Sequence, residues 1–93
     1  MNIKVEIKKT FNNERPVKAF ADVVIDGSMV IHGVAVIEKD GSKLVSMPFK
    51  KWNDKKGETH RSDIAHPITT ETRKQISDAV LAAYEIATDE KFN

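Results

Sequence analysis

The chain has 93 residues, 40% of them apolar and 31% charged, enough for one domain over 1–93 with a single thin core and too apolar for a disordered chain. It has no cysteine, which excludes disulfides and thiolate metal sites, and its net charge of +1, from 15 Lys+Arg against 14 Asp+Glu, names no partner by itself. No apolar run approaches the roughly 20 residues of a membrane span, and "MNIKVEIKKT" cannot serve as the apolar core of a signal peptide, so a cytoplasmic location without membrane partners is expected.

Ile3, Val5 and Ile7 alternate with Lys4, Glu6 and Lys8, the period of a half-buried strand. "NNERP" follows with turn chemistry: Asn12 and Asn13 tolerate unusual backbone angles, and Pro16 cannot continue a central strand. A second strand is predicted over 18–25, with Ala19, Ala21, Val23 and Ile25 on one face. Asp26-Gly27 is a tight-hairpin signal, since both central residues of such a turn need positive φ. "MVIHGVAVIE" is then apolar on both faces, with Ile31, Ala35 and Ile37 expected on one side and Val30, Val34 and Val36 on the other. A strand of that kind is covered twice. Asp40-Gly41 repeats the hairpin signal, and "KLVSM" makes a fourth strand that ends at Pro48.

From 49 to 62 the pattern dissolves into "FKKWNDKKGETHRS", expected as a loop with five basic and two acidic residues. Residues 64–66 read as a short extended piece, because Pro67 disfavours helical angles at His66. Ile76, Ala79, Val80, Ala83, Tyr84 and Ala87 recur at helical spacing, which predicts an amphipathic helix over about 70–89. Either Thr69 or Thr70 can cap its start, and Glu71 in the first turn suits the helix dipole. The expected fold class is α+β: an antiparallel meander of four to five strands with one C-terminal helix packed on it.

Three chemistries are worth weighing. Ser62, Asp63 and His66 have the residue types of a nucleophile, an orienter and a base, but triads draw their members from separate elements so that they converge on one atom. A structural His66 that donates to a backbone carbonyl before the helix is the better reading, at a cost of roughly 1–3 kcal/mol if the ring is removed. His60, Asp63 and His66 form H-x2-D-x2-H, but the pattern sits in loop and strand rather than on one helix face, and no metal is expected. His32 falls on a predicted apolar face, as a hydrogen-bonded core histidine or one at a subunit interface. The third chemistry is electrostatic. Lys50, Lys51, Lys55, Lys56 and Arg61 surround Trp52, and Arg73 and Lys74 enter the first turns of the helix. Lysines bind phosphate as point charges, an aromatic offers a stacking surface, and a helix N-terminus adds free N–H groups.

"MPFKK" at 47–51, "DIAHPI" at 63–68, "TR" at 72–73 and "DAVLAAY" at 78–84 resemble the SpoVG family, the stage V sporulation protein G or septation regulator proteins of bacteria. "MVIHGVAVIE" is similar to that family's third strand, and the likeness runs in order over nearly the whole chain. The resemblance implies a small cytoplasmic α+β homodimer that binds DNA or RNA as a regulator, with no enzymatic activity, no cofactor and no small-molecule substrate. It maps the family's M-P-x-K/R-K/R segment onto Met47–Lys51, which nominates Lys50 and Lys51, and its T-R step onto Thr72 and Arg73, which nominates Arg73. Gly33 and Ala35 stand where similar members carry Asp and Arg, Phe49 where a serine is usual, and Glu6 at a position often basic. "WNDKKGETH" lengthens the loop, so positive charge moves from sheet to loop.

The expected function is therefore a non-enzymatic dimeric nucleic-acid-binding regulator, with Lys50, Lys51, Lys55, Arg61, Arg73 and Lys74 as contacts. A protein-interaction module of cell-division or sporulation control, whose basic loop only confers solubility, is the alternative from another class; a small hydrolase using His66 is the third.

Overall fold

The computed structural model describes residues 1–12 and 14–89. Four strands, β1 (Ile3–Thr10), β2 (Val17–Ile25), β3 (Met29–Lys39) and β4 (Ser42–Ser46), form one antiparallel sheet in chain order. The helix α1 (Thr70–Asp89) packs across one face of it. The expected α+β class is the observed one. Asn13 of the predicted turn lies outside the described residues.

The two Asp-Gly pairs do what their chemistry requires, with φ of 52° at both Asp26 and Asp40. Asp40-Gly41 joins the paired residues Lys39 and Ser42 directly. At Asp26-Gly27 the Ser28 N–H closes the turn on the Ile25 carbonyl (3.1 Å), and Ser28 is an additional loop residue before the Ile25–Met29 pair. Asn2 and Asp26 then clamp the sheet's end: the Asp26 N–H donates to the Asn2 carbonyl and the Asn2 N–H to Asp26 Oδ1, both at 2.7 Å.

The core lies between sheet and helix. Ala19, Val23, Val34, Val36 and Val80 are fully enclosed, with Ile31, Met47, Ile76 and Tyr84 completing the cluster. The predicted helical stripe is the face that packs, and Ala79, Ala83 and Ala87 on it are partly buried. Thr69 rather than Thr70 is the cap: its Oγ1 accepts from the Thr72 N–H at 3.1 Å, and its carbonyl accepts from Arg73 N–H.

Strand β3 departs from the simple alternation. Asp22 of β2 faces two residues, His32 and Gly33, because the register steps from Ala21↔Val34 to Val23↔Ile31. This bulge, with Gly33 at φ +79°, puts Ile31 on the same core face as Val34 and Val36 instead of the opposite one. His32 is consequently no core histidine: its side chain is 73% exposed and meets Asp22 Oδ1 at 3.0 Å on the outer face. That outer face also carries Phe20, Val30, Ala35, Ile37 and Leu44, of which Phe20, Val30 and Leu44 are exposed.

The expected loop is a second sheet. Among the described residues, strands β5 (Phe49–Asn53) and β6 (Thr59–Asp63) pair only with each other, as an antiparallel hairpin. Residues 64–66, expected as an extended piece, belong to no strand and form the bend that leads to the helix. The helix packs on β1–β4 and touches neither hairpin strand. A radius of gyration of 14.5 Å, against about 12 Å for a compact chain of this length, fits a hairpin that stands off the main body.

Candidate functional site

An isolated two-stranded hairpin is marginal in water, so the site's geometry depends on what holds this one. Its turn is built on Asp54. The Gly57 N–H donates to the Asp54 carbonyl and the Asp54 N–H to the Glu58 carbonyl, both at 3.0 Å, with Gly57 at φ +81°. Asp54 Oδ1 accepts the N–H groups of Lys56 (2.8 Å) and Glu58 (3.0 Å), and Oδ2 accepts His60 Nε2–H at 2.8 Å. The His60 bond, then these backbone donors and that of Gly57, hold the Asp54 carboxyl below the usual 3.8.

Strand alternation sorts the side chains into two faces. Phe49, Lys51, Asn53, Thr59, Arg61 and Asp63 share one; Lys50, Trp52, His60 and Ser62 share the other. On the first, the Arg61 guanidinium lies 3.8 Å from the Phe49 ring centroid and donates to Ser46 Oγ at 3.1 Å, which ties the hairpin root to the end of β4. Phe49 and Arg61 there line a cleft with Phe20, Ala35 and Ile37 of the outer sheet face. On the second face the Trp52 and His60 rings stack at 4.4 Å between centroids and 24° between planes. The indole N–H donates to Ser62 Oγ at 2.9 Å.

The cations nominated from sequence thus fall into three situations. Lys50 and Lys51 point to opposite faces of β5, and Lys55 and Lys56 occupy the turn. No carboxylate or hydrogen-bond partner reaches their ammonium groups among the described residues, and the same holds for the guanidinium of Arg73. Arg61 is engaged by Phe49, Ser46 and, at 3.9 Å, Asp63. Lys74 is paired with Asp78 one turn along the helix at 2.7 Å, which raises its pKa above 10.5. The hairpin and helix groups are held by different sheets, so no packing joins Lys50 and Lys51 to Arg73.

The other sequence-derived chemistries separate in space. Ser62 is taken by Trp52, Asp63 lies near Arg61, and His66 Nδ1 meets the Pro67 carbonyl at 3.1 Å. The histidine does bond a backbone carbonyl, but that of its own neighbour at an exposed position, where water can replace it. His66→Ala is therefore expected within about 0.5 kcal/mol of the parent, as for other surface substitutions, rather than the larger cost of a buried orphan. His60 joins Asp54 and Glu58, with ligand atoms within 4.8 Å of one another, and not Asp63 and His66. Both Asp54 oxygens of that cluster are already used in closing the turn.

What sequence reasoning missed is the hairpin itself and the Trp52–His60 pair across it. Asp54-x-x-Gly57 was the signal to be had, with Asp at the first position of a type I turn and Gly at the fourth.

A four-stranded meander with one covering helix, carrying a basic hairpin beside it, defines a small α+β protein whose distinguishing surface is a projecting ribbon. The SpoVG family profile matches residues 1–86, and the chain belongs to the SpoVG family. It is 46% identical over 76 residues to "Putative septation protein SpoVG 1" of Listeria monocytogenes, covering 82% of this chain and 71% of that one. The protein named "Putative septation protein SpoVG" of Clostridium perfringens is 43% identical over 86 residues, 91% of this chain and 90% of its own. That of Clostridium acetobutylicum is 40% identical over 87 residues, 94% and 86% of the two chains.

Proposed function

We propose that the protein is a non-enzymatic, homodimeric DNA- or RNA-binding regulator of the SpoVG type that acts on gene expression, sporulation or septation from the cytoplasm. The observation that carries this reading is the set of unpartnered cations on the hairpin. Lys50, Lys51, Lys55 and Lys56 lie on or beside a strand whose five residues are all exposed. A lysine left without a carboxylate on a projecting ribbon is available to a phosphate at no cost in broken ion pairs. Arg73, at the N-terminal end of the helix, adds a further cation beside backbone N–H groups. Lys74 and Arg61 contribute field more than contact, since each already has a partner. The names of the relatives support a role in septation.

The dimer is supported by the outer sheet face. Phe20, Val30 and Leu44 are exposed there beside Ala35 and Ile37, and a second copy would remove them from water. Light scattering at micromolar concentration should give twice the chain mass; a monomer would count against the pairing.

The functional test is binding to duplex DNA, single-stranded DNA and RNA across salt concentrations. Lys50→Ala or Lys51→Ala should lower the slope of log affinity against log salt by roughly one unit for each phosphate no longer neutralised, and by up to two in a dimer. A Lys50/Lys51/Arg73 triple alanine variant that binds like the parent at every salt concentration would replace this reading with the protein-interaction module.

A further inference from the structure

We infer that the outer side of the Trp52–His60 stack is a landing surface for an unpaired nucleobase, so that the protein favours single-stranded nucleic acid over duplex. The inference rests on the nucleic-acid reading above and specifies which form of it the hairpin takes.

Trp52 is not spent on packing. The hairpin's other aromatic, Phe49, sits on the face turned to the main sheet and is capped by Arg61. Trp52 is on the opposite face, and 45% of its surface is exposed. His60 covers one side of the indole, so the exposed part is the other side and the rim. That exposed part offers a flat π surface on which another ring can stack.

The ring is also held in place before anything arrives. Its N–H is fixed on Ser62 Oγ, its underside rests on the imidazole, and the imidazole is anchored by Asp54 Oδ2. Asp54 is anchored in turn by the N–H groups of Lys56 and Glu58. A side chain held at two points loses little further rotamer freedom when a base stacks on it. Lys50 lies on the same face two residues earlier, roughly 7 Å along the strand, and its ammonium has no partner among the described residues. One nucleotide can therefore lay its base on the indole while a neighbouring phosphate reaches Lys50. In a duplex the base faces are closed by their own neighbours, and an exposed indole on the hairpin has no free base face to stack on. Stacking of this kind tolerates any base, because every base has a π face.

Trp52 is the chain's one tryptophan, so its fluorescence reports this surface alone. The full chain is titrated at fixed salt with oligo(dT), oligo(rU), an abasic oligodeoxynucleotide of equal length, and duplex DNA. Oligo(dT) and oligo(rU) should quench the fluorescence and bind at least about 5-fold more tightly than the abasic strand, the low end of what one stacked base contributes. The abasic strand and the duplex should bind without comparable quenching. Trp52→Phe should keep most of the preference for oligo(dT), whereas Trp52→Ala should bind oligo(dT) and the abasic strand alike. Equal affinity of the unaltered protein for oligo(dT) and the abasic strand would overturn the stacking surface and leave the phosphate contacts standing. Tighter binding to duplex than to oligo(dT) would overturn it too, in favour of the ribbon entering a groove. Failure to bind any of the four would remove the nucleic-acid reading together with it.

Discussion

The sheet–helix body and the β5–β6 hairpin are made of the same kind of strand and are stabilised by different physics. In the body, Val23, Val34, Val36 and Val80 are completely enclosed, and no polar or charged residue is among the buried ones described. In the hairpin no residue is fully buried. Besides its strand pairing it is held by directional contacts, among them a turn carboxylate, a ring stack, a cation–π contact, the indole–serine bond and the Arg61–Ser46 bond. The body is thus specified by exclusion of water, which is non-directional and adds up over many side chains. The hairpin depends on a few directional contacts that water can replace one at a time. Chemistry that must meet an outside ligand belongs on the second kind of structure, because its side chains are not committed to a core.

The sharpest way to break the comparison is to damage the body. Ile76 is 2% exposed at the centre of the cluster, and Ile76→Ala should cost about 2–5 kcal/mol, a large share of the roughly 5–14 kcal/mol available to a chain of this size. Chemical denaturation should register the whole loss. If the midpoint scarcely moved, the helix would not be the lid on the core that its packing implies.

Gly33 comes next. Its φ of +79° lies where a β-carbon is strained, although the nearest atom to one there, Pro48 Cβ, would be at an ordinary 3.6 Å. Backbone strain and not crowding should therefore dominate, and Gly33→Val should cost about 1–2 kcal/mol. Gly33→Asn should cost visibly less, because asparagine visits the left-handed region. Equal losses for the two variants would point to crowding, or to a bulge that can be ironed out.

Trp52→Ala should do little to the body. Cross-strand aromatic pairs contribute about 0.5–1.5 kcal/mol, and this one acts inside a sheet of its own. The melting of the core should shift little, while amide-exchange protection across β5 and β6 should fall sharply. A loss of protection spread evenly over β1–β4 would mean that the two regions unfold as one.

The mildest probe is acid. The folded state holds the Asp54 carboxyl below 3.8, chiefly through His60 and then through the turn's N–H groups. A depressed carboxylate stabilises the folded hairpin above its unfolded value, and the contribution is lost as pH falls through the folded one. From this group the Trp52 fluorescence should stay constant above about pH 4 and change below it, and in Asp54→Asn that acid step should vanish. Persistence of the step in the variant would assign it to another group.

How much of this could be read beforehand follows the same division. Alternation at Ile3–Val5–Ile7, the Asp-Gly pairs and the stripe from Ile76 to Ala87 are local signals of burial or of backbone angle, and each names its element. The resemblance carried by "MPFKK" and "DIAHPI" named the family to which the chain belongs. The segment 49–62 gave no such signal, because a strand pair with neither face in a core need not alternate, and its one cue was the Asp54–Gly57 spacing.

The sequence by itself determined the α+β meander, the two tight turns, the helix and its buried stripe, because those depend on periodicity and on residue-level backbone preference. Only the tertiary structure decided the rest. The bulge opposite Asp22 moves Ile31 into the core and His32 out of it, since one additional residue in a strand reverses every side chain beyond it. The hairpin register brings Trp52 onto His60 and sends Lys50 and Lys51 to opposite faces. Which cations stay free and which are engaged is settled in part by partners up to fifteen residues away, as with Arg61, whose guanidinium donates to the Ser46 hydroxyl. Such distances are made by folding and are written in no local pattern.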